Sequence, residues 1–334
     1  MLKKKAIVLL SGGLDSTLAV KLVLEQGLEV EAVNFKTIFW TQDQVEGYGA
    51  FARRMAKRFG IELRIFEITK KFVEMLKCPK HGYGTNMNPC IDCRILMLEM
   101  AAEYMEEIGA SFLVTGEVLG ERPMSQRQDA LNLIEKESDL KGKILRPLYA
   151  KLLKPTIAEK EGLIDREKLF DIQGRSRRSQ MDLAEAYGID DYPSPAGGCL
   201  LTDPGFSARL RDLFQHNDSS INDIQLLKYG RHFRLSEECK VIVGRDEREN
   251  EGILSLAMSG DLVIKVANFS GPITIVRGKV SDEQIYMAAA MTARYSKARG
   301  EKTVGVSYRR MPEREAKSIS VRPVDAKELK LVRI

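Results

Sequence analysis

Three of the five cysteines in the chain have neighbours that suit chemistry more than packing. Cys90 and Cys93 form a C-x-x-C pair behind Asn88-Pro89, at the head of an apolar-periodic run, Ile91–Ile108, that reads as a helix. A thiol in the first turn of a helix faces the positive end of the dipole. That favours the thiolate, the form that attacks electrophiles and binds metals. Cys199 follows Pro193-Ser194-Pro195-Ala196-Gly197-Gly198, where the two glycines permit close backbone approach, and it is the expected third sulfur. Three thiolates, from Cys90, Cys93 and Cys199, would leave one iron of a [4Fe–4S] cluster open to hold sulfide. A fourth cysteine would instead suggest a closed electron-transfer cluster or structural zinc. Two other readings stay open: a persulfide on Cys199 with Cys93 as its transient disulfide partner, and a zinc site with a further ligand. Cys78 reads as a loop thiol, and Cys239, heading an apolar strand, as a small core residue.

A second constellation is Ser11-Gly12-Gly13-Leu14-Asp15-Ser16, between an apolar strand (Lys5–Leu10) and a helical pattern from Thr17 to Glu25. Glycines at 12 and 13 let backbone N–H groups approach a phosphate, and the hydroxyls of Ser11 and Ser16 add donors. The following helix points its N-terminus at the same anion. Asp15 would repel a bare phosphate, so it is expected to hold Mg²⁺ or to orient the loop. The sequence lacks the Gly-Lys-Ser/Thr ending of a Walker loop, which argues against simple γ-phosphoryl transfer.

The elements that position these residues alternate. Strand patterns at 29–34, 61–67 and 112–115 are separated by helical patterns at 45–59 and 91–108. Doubly apolar strands between amphipathic helices predict a parallel sheet covered on both faces, with ligands at the carboxyl ends of the strands. Residues 176–229 are expected to be a linker and helical segment carrying Cys199, with helices near 205–214 and 220–229. Strands near 239–243, 262–267 and 274–277 and a helix near 282–298 predict a separate small α+β domain over 230–334. The fold class is therefore α/β over residues 1–175, followed by that smaller domain.

Resemblance sharpens the reading. The Ser11–Ser16 segment resembles the PP-loop of the ATP pyrophosphatases, a Rossmann-like fold akin to the adenine nucleotide alpha hydrolases, which adenylate a substrate and release pyrophosphate. Leu113-Val114-Thr115-Gly116-Glu117-Val118-Leu119-Gly120, with Met124-Ser125-Gln126 behind it, resembles the Thr-Gly-Glu…Ser-Gln segment of the 4-thiouridine synthases (ThiI), which places Gly116 and Gln126 beside the nucleotide. The Asn-Pro-x-x-x-Cys frame is similar to the 2-thiouridine synthases of the MnmA type, which carry an acidic residue where Cys90 stands. The C-x-x-C pair with one distant cysteine is similar to the cluster-dependent thiolases of the TtuA type. Val243-Gly244-Arg245-Asp246-Glu247-Arg248-Glu249-Asn250 resembles the start of the RNA-binding domain of NFACT proteins, with Arg245 expected to grip a phosphate bidentately. ThiI proteins usually carry a THUMP domain first, whereas here the catalytic pattern starts at once.

These resemblances imply an ATP-dependent sulfurtransferase that adenylates a uridine carbonyl in tRNA and exchanges oxygen for sulfur. Cys93, Cys199 and Asp15 would be its catalytic residues; ATP, Mg²⁺ and the cluster its cofactors; and sulfide or a cysteine-desulfurase persulfide its sulfur source. A net charge of +5 and basic clusters at Arg175, Arg177, Arg178, Lys297, Arg299, Lys302, Arg309 and Arg310 agree with a polyanionic partner. With 44% hydrophobic and 30% charged residues, the composition is that of a globular protein. No apolar run reaches the ~20 residues of a membrane span, and no export signal is evident, so a reducing cytoplasmic location is expected. Two alternatives use the same residues: adenylation of a small molecule for amidation or sulfur transfer, and an RNA-binding protein with an idle nucleotide site.

Overall fold

The computed structural model describes residues 4–40, 49–122, 124–193, 199–216 and 220–334. The opening of the helix expected at 45–59 and most of the Pro/Gly segment before Cys199 lie outside them. The chain divides into two units, Met1–Thr202 and Asp203–Ile334, so the expected 176–229 segment is shared between them.

In the first unit the elements run β1 (Lys5–Leu9), α1 (Leu14–Leu24), β2 (Glu29–Lys36), α2 (Ala50–Phe59), β3 (Glu62–Glu67), α3 (Thr69–Lys77), α4 (Cys90–Glu107), β4 (Phe112–Thr115), α5 (Gln128–Glu137), β5 (Ile144–Leu145), α6 (Ile157–Lys160) and α7 (Arg178–Ala186). The strands form one parallel sheet in the order β3-β2-β1-β4-β5. Consecutive residues Ala6, Ile7 and Val8 of β1 are fully buried, which requires cover on both faces and explains the unbroken apolar run. One face packs Ala19, Val20 and Val23 of α1 and Ala52, Met55 and Ala56 of α2 against β1, β2 and β4. On its other flank α1 buries Leu14, Leu18 and Leu22 against Ala184 of α7 and Ile189.

Helix α1 begins three residues earlier than the apolar pattern suggested. Gly13 is its N-cap, and Thr17 N already donates to Gly13 O at 3.0 Å, so Asp15 and Ser16 lie in the first turn.

The second unit contains α8 (Pro204–Gln215), α9 (Ile221–Leu226), β6 (Arg231–Ser236), β7 (Cys239–Val243), α10 (Glu247–Ser255), β8 (Leu262–Val266), β9 (Thr274–Gly278), α11 (Asp282–Arg294), β10 (Val304–Arg310), β11 (Lys317–Val321) and α12 (Ala326–Val332). Its strands form an antiparallel sheet in the order β11-β10-β8-β9-β7-β6. Residues alternate between two cores, as the period of two demands. Val241, Val243, Leu262, Ile264 and Val276 meet α11, while Ile242, Val263 and Ile275 meet Leu226 and Ile253 on the opposite face. A capping box between Ser281 and Gln284 starts α11. Cys239 is fully buried in β7.

Ile7 tests the sheet. Ile7→Ala is expected to cost about 2–5 kcal/mol, and Ile7→Val about 0.5–1.5 kcal/mol. Both would appear as lower urea midpoints at an unchanged m-value.

Candidate active site

The topology makes a crevice where the chemistry-bearing loops emerge. From β1 the chain builds outward through β2 and β3, then returns to the other side of β1 for β4 and β5. The loops after β1 and β4 therefore diverge from neighbouring strand ends, the usual place for a ligand in an open parallel sheet. The loop after β1 carries Ser11–Ser16. Gly12 has φ +82°, and a Cβ there would lie 2.5 Å from Ala52 N at the start of α2, so only glycine fits. The hydroxyls fold the loop on itself: Ser11 Oγ and Ser16 Oγ are 3.0 Å apart, Ser16 Oγ donates to Gly13 O at 3.0 Å, and Thr17 Oγ1 donates to the same carbonyl at 2.9 Å. What remains is the first turn of α1, whose N–H groups face an incoming anion.

Gly116, in the turn after β4, touches this loop backbone to backbone. A Cβ at 116 would stand 2.5 Å from both Asp15 C and Ser16 N. Burial pushes the Asp15 carboxyl above its ordinary range, against the opposing charges of Arg177 and Arg122. Its Oδ1 has no hydrogen-bond partner among the described residues. Gln126 is buried, and its Oε1 accepts from Arg122 N at 3.0 Å while Gly120 N donates to Gln126 O at 2.8 Å. Gln126 thus closes the 120–126 loop and sets where Arg122 stands.

The residue after Gly116 anchors the site. Glu117 is 2% exposed. Arg146 Nε donates to its Oε2 at 2.8 Å, Thr115 Oγ1 donates to the same oxygen at 3.0 Å, and Arg94 Nε lies 3.1 Å from Oε1. Burial would raise this carboxyl, but the charges of Arg94 and Arg146 outweigh it and hold the group below its usual value of 4.5. Arg146 also pairs with Glu135 of α5.

Arg94 directly follows Cys93, so the same ion pair fixes the cysteine helix. Cys90 and Cys93 occupy the first turn of α4. The third cysteine is brought to them by backbone pairing: Trp40 and Cys199 form an antiparallel bridge, Leu200 N donates to Phe39 O at 2.9 Å, Met87 N donates to Leu201 O at 3.1 Å, and Asn86 Nδ2 donates to Thr202 O at 2.7 Å. The three thiols feel one another. Burial, then the charges of Cys199 and Cys90, push Cys93 up to about 12, and burial pushes Cys199 up to about 12 as well. Cys90 is raised by burial against the pull of Arg122 and Arg94. The dipole-lowered thiols expected from the helix position are thus not found, because desolvation outweighs the helix end. Asp92 is buried and accepts His81 N at 3.1 Å, which holds the 78–89 loop. Among the described residues no three His, Cys, Asp or Glu side chains form a metal-holding group.

The sequence reading passed over Arg94, Arg122, Arg146 and Gln180, and placed Arg177 only in a basic cluster for a polyanionic partner. The available signal was Glu117 itself, since a carboxylate in a wholly apolar strand-end needs cationic partners. In the second unit the bidentate role expected for Arg245 is already taken: its Nε lies 2.7 Å and 2.9 Å from the two Glu249 carboxylate oxygens. Lys297 and Arg299 line a 900 Å³ cleft with Gly244, Asn250 and Tyr295.

These features define a PP-loop nucleotide domain, followed by a separate antiparallel-sheet domain. Residues 2–161 match the family model described as thiamine biosynthesis protein (ThiI), and residues 230–331 match that of the NFACT protein RNA binding domain. A probable tRNA sulfurtransferase from Lysinibacillus sphaericus is 34% identical over 147 residues, 44% of this chain and 35% of that protein. The tRNA-specific 2-thiouridylase MnmA of Nitratiruptor is 31% identical over 120 residues, 34% of this chain and 35% of that one. A crystal structure of a 4-thiouridine synthetase–RNA complex with bound ATP is 25% identical, covering 67% of this chain and 52% of that one, with a TM-score of 0.35. The chain spans 35% of the length of the curated relatives it matches. The ThiI match falls within the first unit and the NFACT match within the second.

Glu117→Gln is expected to lower stability by about 3–5 kcal/mol at neutral pH, because it removes the carboxylate that the buried Arg146 and the partly buried Arg94 share. The depressed Glu117 pKa means that its contribution is complete above 4.5 and is lost as pH falls through the folded value, so the variant should also show a flatter acid limb in thermal unfolding. Gly116→Ala should fold yet bind ATP at least about tenfold more weakly in calorimetry, since its methyl group must displace the Asp15–Ser16 backbone.

Proposed function

We propose that the chain is an ATP-dependent tRNA sulfurtransferase that forms thiouridine. The observation that carries this reading is Arg122, whose charge acts on Asp15 at the nucleotide loop and on Cys90 and Cys93 at the head of α4. An anion-binding loop and a cysteine cluster then share one cation, which joins activation to sulfur delivery.

In the first half-reaction the uridine carbonyl oxygen attacks the α-phosphorus of ATP, the bond from that phosphorus to the β-phosphate oxygen breaks, and pyrophosphate leaves. In the second a sulfur nucleophile adds to the activated carbon, the C–O bond breaks, and AMP departs with the uridine oxygen. Oxide alone is a poor leaving group, which is why adenylation must come first. The Ser11–Ser16 loop and the α1 N-terminus hold the phosphates. The unpartnered Oδ1 of Asp15 suits a Mg²⁺ ligand, and that cation would offset charge on the departing phosphates. Arg122 faces the charge that passes between the two centres.

The sulfur centre is Cys90, Cys93 and Cys199. The described residues form no ready metal-holding group, so a [4Fe–4S] cluster would require these three thiols to draw together as its ligands; it would then supply a site for exogenous sulfide and the positive charge that ionises the thiols. A second reading, a Cys199 persulfide resolved by Cys93, is favoured by the direct influence of Cys199 on Cys93. Sulfide or a cysteine-desulfurase persulfide would serve as donor. The second unit would hold tRNA, with Lys297 and Arg299 on its phosphates. No helix among the described residues is long and apolar enough to cross a membrane, and reduced thiols suit the cytoplasm.

Anaerobic purification with iron and acid-labile sulfide assays separates the two sulfur routes. Thiouridine measured by nucleoside mass spectrometry should require ATP, RNA and a sulfur donor. Cys199→Ser should retain ATP binding and lose thiouridine, whereas Asp15→Asn should slow pyrophosphate release by at least about a hundredfold. Pyrophosphate release indifferent to RNA, with product formed on a small molecule, would contradict the proposal.

A further inference from the structure

A group of unsatisfied polar atoms lies across from the glycine loop. Packing of Leu14 and Leu18 against Ala184 and Leu183 sets α7 alongside α1. The segment leading into α7 is tied to the loop after β4: Leu119 and Gln173 form a parallel bridge, and Gly174 N donates to Leu119 O at 2.7 Å. This brings Arg177, the N-cap of α7, and Gln180 in its first turn to the side of Asp15.

Gln180 is fully buried, at 0% exposure, yet neither Nε2 nor Oε1 has a hydrogen-bond partner among the described residues. The amide stands close enough to the Asp15 carboxylate to help hold it in its charged form. Arg177 Nε and Asp15 Oδ1 are likewise buried without partners. Native proteins rarely leave one such group unsatisfied. Here four atoms on three residues border the same place, and the simplest account is a ligand that completes them.

The chemistry of that ligand follows from the donors. Arg177 Nε and the Gln180 amide N–H groups both donate, which selects an anion. Four charged side chains stand around it: Arg177 and Arg122, with Asp15 and Glu121. The two carboxyl groups among them suit an anion that arrives with a metal cation. Asp15 of the glycine loop and the first turn of α7 border this place together, which suits the phosphates of a nucleotide held by that loop.

We propose that Arg177 and Gln180 form the wall of the nucleotide site that receives the pyrophosphate end of ATP, opposite the glycine loop. The two residues would bind the β- and γ-phosphates in the ground state and the same group, as magnesium pyrophosphate, after adenylation. This rests on the adenylation reading but not on the identity of the acceptor or of the sulfur donor. Both residues lie beyond the 2–161 segment that matches the ThiI family model, so the wall is contributed by a part of the chain outside that match.

Calorimetry on the full-length protein tests the inference with magnesium pyrophosphate, ATP and AMP as separate titrants. Arg177→Ala and Gln180→Leu are each expected to weaken pyrophosphate binding about tenfold, the loss of one charged or buried hydrogen bond, while AMP affinity stays within about twofold. Arg177→Lys should recover part of that loss. Without ligand, Gln180→Leu should melt at or above the wild-type temperature, because an apolar side chain of similar size replaces an unsatisfied amide. Pyrophosphate affinity within about twofold of wild type in both alanine and leucine variants would overturn the inference, as would equal losses for AMP or a loss confined to RNA affinity. A wild-type protein that binds neither ATP nor pyrophosphate would sink both this wall and the nucleotide loop. Selective pyrophosphate losses in a protein that never thiolates RNA would leave the wall standing and remove only the thiolation reading.

Discussion

A carboxylate with almost no access to water, Glu117, sits between the guanidinium groups of Arg94 and Arg146. Withdrawing these charges from water is costly, and their mutual attraction compensates only in good geometry. That condition makes the arrangement a strict positional constraint. Glu117 follows the glycine that presses on the nucleotide loop. Arg94 follows the second cysteine of the C-x-x-C pair. Arg146 follows β5 and reaches α5. Moving any one of the three would leave a buried charge without its partner, so the phosphate loop, the cysteine helix and the flank of the sheet hold a common register.

The sheet order supplies the rest of the geometry. Because β1 lies between β2 and β4, the loops that follow β1 and β4 open into one crevice and meet at Gly116, while Gly12 presses on the start of α2. Cys199 comes from a remote part of the chain; its segment is fastened by main-chain pairing to residues 39–40 on one side and, through Leu201 and Thr202, by Met87 N and the Asn86 side chain on the other. A side-chain network fixes two of the sulfurs and a backbone ladder fixes the third. Arg122, whose backbone N–H is held by Gln126, acts electrostatically on both Asp15 and the Cys90/Cys93 pair.

Much of this was legible in the sequence, for physical reasons. The apolar runs at β1 and β4 and the glycine-rich turn carry strong local signals, because a strand buried on both faces has no polar choice and a phosphate loop has no room for a Cβ. The C-x-x-C pair announced a helix start. The partners of Glu117 were not legible, since ion pairs across the fold leave no periodic trace. Burial of the thiols also escaped notice: the local helix dipole can be read from the sequence, whereas the desolvation that outweighs it is a tertiary effect. Nor was the partner of Arg245 legible: the helix that follows it supplies Glu249 four residues on. Strand β6 (Arg-His-Phe-Arg-Leu-Ser) was missed because an edge strand with few apolar residues lacks a clean alternation.

The central claim is that one crevice both adenylates a uridine carbonyl and delivers sulfur to the same carbon. RNA carrying ¹⁸O at the uridine carbonyls, incubated with the protein, ATP and a sulfur donor, tests it most directly by mass spectrometry of the released AMP. The account predicts one ¹⁸O in the AMP phosphate for each thiouridine formed. Thiouridine accompanied by unlabelled AMP, with the ¹⁸O released to water, would contradict it.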